Sequence, residues 1–96
     1  MNVNLTKSII NDIEKLAIDC NIEKVILFGS RARGDNKERS DIDLAITGGD
    51  TVLFCAEADE KIQTLLMFDI VILDDFVQED LMESIKREGK VIYEKI

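Results

Sequence analysis

The acidic triplet Asp41-Ile42-Asp43 follows Gly29-Ser30 after a spacer of ten residues, and the two segments suit two halves of one chemistry. In an extended strand, residues two apart point to the same face and lie roughly 6.5 to 7 Å apart. The Asp41 and Asp43 carboxylates can therefore converge on shared cations while Ile42, Leu44 and Ile46 turn toward a core. Carboxylates held this close repel one another, and a divalent cation between them turns that penalty into a binding site. The chain has no histidine, so metal ligands must be oxygen donors, which suits magnesium, and a general base cannot be an imidazole. At the other segment, Gly29 lets the backbone come close to a phosphate and the Ser30 hydroxyl can donate to one of its oxygens. A short helix starting there would aim free N–H groups at the anion. Arg31 and Arg33 can neutralise phosphate charge through forked hydrogen bonds.

Neither segment is specific alone. Gly-Ser commonly marks a turn, and Asp-x-Asp in a chain with twenty acidic residues fits a solvated strand edge. Taken together, Gly29-Ser30-Arg31-Ala32-Arg33-Gly34 and Asp41-Ile42-Asp43 match the pattern Gly-Ser-x(10)-Asp-x-Asp without a gap. On these residues the chain resembles the minimal nucleotidyltransferases, or MNT proteins, of the DNA polymerase β superfamily, and the likeness covers essentially the whole chain. Residues 1–96 then read as a single minimal nucleotidyltransferase domain. The resemblance implies an α/β (α+β) nucleotidyltransferase fold, a mixed β-sheet with helices packed on it. It also implies a third carboxylate on a later strand, and Asp69 in Phe68-Asp69-Ile70-Val71-Ile72-Leu73 matches in position and setting. By the same analogy Asp41, Asp43 and Asp69 hold two Mg2+ ions, Asp69 helps to deprotonate an acceptor hydroxyl, and ATP is the substrate, bound through Gly29, Ser30, Arg31 and Arg33. Lys37 and Arg39 read better as solvated loop charges. Asp74 and Asp75 read as a turn and a helix cap.

The positioning elements follow from periodicity. Leu5, Ile9, Ile10, Ile13, Leu16, Ala17 and Cys20 recur at helical spacing, which predicts an amphipathic helix over about residues 5–20 that ends near Asn21. Residues 24–28 and 41–47 read as strands closed by glycines. Asp50 or Thr51 can cap a second long helix with Phe54, Ala58, Ile62, Leu65 and Leu66 inward, running to residue 66. Residues 68–73 are a third strand. Val77, Leu81 and Ile85 keep helical spacing up to Gly89, and residues 91–93 form a closing strand. Bringing Gly29-Ser30 to Asp41 and Asp43 requires strands one and two to be antiparallel. Bringing Asp69 beside them requires strands two and three to be parallel, joined by a right-handed helical crossover.

Composition narrows the partners. Net charge is −8, from twenty acidic against twelve basic residues, so the average surface repels DNA and RNA, and direct nucleic-acid binding or template-directed polymerisation is disfavoured. No apolar run suits a membrane span or a signal peptide, which leads to the expectation of a cytoplasmic protein. Cys20 and Cys55 fall in apolar stripes and read as reduced packing residues. The resemblance points further, to the antitoxin half of HEPN/MNT toxin–antitoxin pairs, in which the MNT protein adenylylates a tyrosine of the HEPN ribonuclease toxin. Two other readings stand beside it: a vestigial subunit that neutralises a partner by contact alone, and a transferase for a small-molecule hydroxyl. A chain of 96 residues leaves no room for a separate acceptor domain, so a second wall is expected from a partner or from a homodimer.

Overall fold

The computed structural model describes residues 3–96. Thr6 opens the first helix, α1 (Lys7–Asp19), its hydroxyl accepting from the Ile9 N–H at 3.2 Å. Beyond the Cys20 cap, Asn21 adopts the left-handed conformation (φ 58°) and turns the chain toward the sheet. The remaining elements are β1 (Lys24–Phe28), the short α2 (Ser30–Arg33), β2 (Ile42–Thr47), α3 (Thr51–Lys61), β3 (Phe68–Ile72), α4 (Glu79–Glu88) and β4 (Lys90–Glu94). Asp50 is the cap of α3, its carboxylate accepting from the Leu53 N–H at 3.0 Å.

The strands form one four-stranded sheet in the order β3-β2-β1-β4. β1 is antiparallel to both β2 and β4, and β2 is parallel to β3 with α3 as the crossover. This is the expected mixed α+β arrangement. Strand alternation sorts the side chains onto two faces. Val25, Leu27, Ile42, Leu44 and Ile46 meet Ile13 and Ala17 of α1 and Phe54 and Ala58 of α3 in the larger core. Ile26, Phe28, Ala45 and Val71 face the other way, where Leu81 and Ile85 of α4 cover them. Asp43 and Asp69, each two residues before Ala45 and Val71, share this second face. Gly89 ends α4, and a Cβ there would meet the Ile85 carbonyl and Ile26.

Two expectations are corrected. The long helix stops at Lys61 rather than residue 66, and Leu65 is fully exposed instead of inward. Ile62 turns extended (φ −97°, ψ 116°) while remaining buried, and the Asp12 carboxylate of α1 accepts the next N–H, that of Gln63, at 3.1 Å. Residues 63–67 must then carry the chain back to the sheet, where the Met67 carbonyl accepts from Ile42 N–H at 2.9 Å. A helix through 66 would leave no chain for that return. Asp75 does not cap the last helix either, because Gln78 holds the cap position and Val77 precedes it. Asp74 instead latches the far end of β2, accepting from the Thr47 hydroxyl and, at 3.1 Å, from the Gly48 N–H. Cys20 is buried and Cys55 half-buried, both are free, and burial raises both thiols above their ordinary pKa, which suits packing rather than reactivity.

Candidate active site

Sheet register assembles the parts. Phe28, immediately before Gly29, pairs with Asp43 across β1 and β2, and Asp43 pairs with Asp69 across β2 and β3. Gly29 lies at φ 75° and ψ −157°, where side chains are strained, and any Cβ there would run into the Asp43 carboxylate. The glycine turn therefore touches Asp43, which stands between it and Asp69. Asp41 sits one residue before β2 and is exposed, as is Asp69, whereas Asp43 is half-buried. Ser30 begins α2 and is half-buried. Among the described residues its hydroxyl has no hydrogen-bond partner.

The three carboxylates have no hydrogen bond or ion pair among the described residues. Burial, then the charges of Asp69 and Asp41, push Asp43 from an ordinary 3.8 up to about 6, with Arg33 opposing and Glu88 adding to the rise. An all-oxygen donor set with unrelieved negative charge fits a hard divalent cation. Among the described residues, however, no three His, Cys, Asp or Glu side chains are drawn together closely enough to hold a metal ion: register makes Asp43 and Asp69 neighbours, and Asp41 lies one residue before β2. The pH consequence has a definite sign. In the fold Asp43 keeps, between about 3.8 and about 6, a proton that the unfolded chain has released. Its contribution to stability is therefore full below pH ~4 and is lost as pH rises through ~6. Urea midpoints measured from pH 4 to 7 without divalent cation should show wild type losing ground to Asp43→Asn as pH rises; parallel curves would contradict the shift.

The two arginines part company. Arg31 is 7% exposed. Its Nε donates to the Ser40 carbonyl at 3.1 Å, Nη1 to Asn4 at 3.1 Å and Nη2 to Glu38 at 3.0 Å. The expectation of a triphosphate contact thus meets a guanidinium whose three nitrogens already bind backbone, holding the loop that delivers Asp41. Arg31→Ala should lower unfolding free energy by about 2 kcal/mol by removing three hydrogen bonds to part-buried carbonyls. Arg31→Lys should recover little, since an ammonium cannot span the same fork. Denaturant titration of both variants checks this. Arg33 lies on the site's side of α2, where it acts on Asp43. Its Nε donates to Asp35 at 3.1 Å, and its Nη1 donates to both oxygens of Glu88 at 3.0 and 2.9 Å. Sequence reasoning missed Glu88, which lies 55 residues from its partner and carries no local signal.

Two of the concavities among the described residues stand out by size. The one lined by Glu23, Lys24, Thr47, Glu94, Lys95 and Ile96, about 450 Å3, is at the opposite end of the sheet from the carboxylates. A groove of about 500 Å3 is lined by Glu38, Arg39, Leu65, Leu66 and Met67, from the two segments that lead in the chain to Asp41 and to β3.

Residues 10–96 match the family described as Polymerase beta, Nucleotidyltransferase. The chain belongs to that family. This nucleotidyltransferase is 38% identical over 81 residues to a Methanocaldococcus jannaschii protein named "Putative protein adenylyltransferase", the match spanning 75% of this chain and 79% of the relative. Its fold is shared with a toxin–antitoxin crystal structure with AMP-PNP, at 22% identity and TM-score 0.72 over 90% of this chain and 73% of the other. It is shared as well with a structure of a tri-AMPylated Shewanella oneidensis HEPN toxin in complex with MNT antitoxin, at 21% identity and TM-score 0.56 over 90% and 70%. The chain is thus a nucleotidyltransferase by family and shares its fold with these toxin–antitoxin structures.

Proposed function

We propose that the nucleotidyltransferase moves AMP from ATP to a tyrosine hydroxyl of a HEPN-type toxin, acting as its antitoxin in the cytoplasm. The observation that carries this reading is the single row formed by Gly29, Asp43 and Asp69 at one end of the sheet. Two Mg2+ ions would be held by Asp41, Asp43 and Asp69 and would neutralise charge on the triphosphate and on the attacking and leaving oxygens. Ser30 donates to a phosphate oxygen, the Gly29 backbone allows the close approach, and Arg33 offsets phosphate charge. The acceptor oxygen attacks the α-phosphorus, the bond to the β-phosphate oxygen breaks, pyrophosphate leaves, and Asp69, exposed on β3, receives the hydroxyl proton.

ATP as nucleotide is supported by the AMP-PNP in one structural neighbour, and the acceptor by the AMPylated toxin in another. The acceptor is assigned to the groove between the segments that lead to Asp41 and to β3, where Leu65 and Met67 are exposed. The overall charge of −8 repels a second copy of the chain and draws a basic RNA-binding protein, while the groove itself, with one acid and one base among its lining residues, supplies apolar contact. The test is incubation with α-labelled ATP, Mg2+ and the product of the adjacent gene. Label on the partner is expected; label on neither protein, with nucleotide bound, would favour neutralisation by contact alone.

A further inference from the structure

Glu88 is the last residue of α4, where a negative charge opposes the helix dipole, so its place there does nothing for the helix. Its side chain is nevertheless only 14% exposed and takes both of its oxygens to Arg33 Nη1. With Asp35 on Nε, the guanidinium is held from two sides, and among the described residues Nη2 donates to nothing. Arg33 N–H in turn bonds the Gly29 carbonyl at 3.0 Å, tying the same residue to the glycine turn that touches Asp43.

We infer that Glu88 is a positioning residue for nucleotide binding: from α4 it fixes the Arg33 guanidinium beside the glycine turn so that Nη2 is left to meet a triphosphate oxygen. The inference rests on the nucleotidyl-transfer reading and extends it to a residue outside the motif. A flexible arginine loses rotamer freedom when it grips an anion, and a bidentate carboxylate that has already ordered it removes that penalty from the binding step. The opposite role is also physically coherent, with Glu88 competing with phosphate for Arg33. The two roles differ in sign. Positioning makes loss of Glu88 weaken nucleotide binding, while competition makes it strengthen binding.

Calorimetric titration with Mg2+ and a non-hydrolysable ATP analogue separates them. Glu88→Ala should raise Kd about tenfold, the scale of one lost charge-assisted contact, and Glu88→Gln, which retains one acceptor oxygen, should raise it less. Because the effect travels through Arg33, Arg33→Ala/Glu88→Ala should bind no more weakly than Arg33→Ala alone. Thermal melts of each variant report folding independently, and a purely structural role would lower the melting temperature without this dependence on Arg33. An unchanged or tighter Kd for Glu88→Ala, or additive losses in the double variant, would overturn the inference. If wild type itself binds no Mg2+-nucleotide, the functional reading fails first and the inference with it.

Discussion

Asp43→Asn is expected to lower nucleotidyl transfer by about 10³-fold, on the scale of removing one well-placed electrostatic contact from a transition state, while leaving the fold intact and more stable. The amide keeps the shape that Gly29 and Phe28 pack against but removes the charge that burial, Asp69 and Asp41 all disfavour. Activity and stability should therefore move in opposite directions at one position, a signature that damage to packing cannot mimic. Ser30→Ala on the same assay should weaken nucleotide binding more than turnover, by the roughly 1.5 to 3 kcal/mol of a hydrogen bond to a charged group. Single-turnover transfer with Mg2+, read beside thermal melts at pH 7, gives both quantities. Wild-type transfer by Asp43→Asn would remove Asp43 from the metal site, and a drop in melting temperature would show that its charge is compensated in the fold.

Co-expression with the neighbouring gene product should yield a partner protein heavier by whole AMP units on tyrosine, with the increment abolished by Asp41→Asn. Asp41 is exposed at the end of the loop that Arg31 holds, so its substitution should leave both the fold and the complex in place. Leu65→Lys should do the reverse, leaving nucleotide binding intact and weakening the complex, because it puts a positive charge into the apolar groove assigned to a basic partner. Intact-mass spectrometry and size-exclusion chromatography of the co-purified proteins read these separately. An unmodified partner in a stable wild-type complex would support neutralisation by contact, and absence of any complex would point to a small-molecule acceptor.

The carboxylate row was legible because strand alternation and the direction of each strand leave few ways to bring a turn at one strand's end to acidic residues at the start of two others. Phe28 opposite Asp43, and Asp43 opposite Asp69, are the pairings that argument requires. The division of labour between Arg31 and Arg33 was not legible. Both stand on a four-residue helix, and which guanidinium meets carbonyls is decided by Asn4, Glu38 and Ser40 folding over one of them. The stop of α3 was hidden because Leu65 and Leu66 continue the apolar spacing of Phe54, Ala58 and Ile62. What ends the helix is the return path to β3 and the Asp12 carboxylate on another helix, neither of which is a local property. Glu88 escaped for the same reason: its meaning lies in a residue far away in sequence.

Strand β1 lies inside the sheet, between a neighbour that follows it closely in the chain and one, β4, that is the last strand to appear. During synthesis its Val25-Ile26-Leu27 edge stays bare on one side until Lys90–Glu94 has left the ribosome and Leu81 and Ile85 can settle over Ile26. An apolar central strand with one open flank is the kind of edge that recruits other chains. The nascent protein is thus most prone to aggregation while β4 is still missing from the sheet, and early contact with a chaperone would matter for yield more than for the stability of the finished fold.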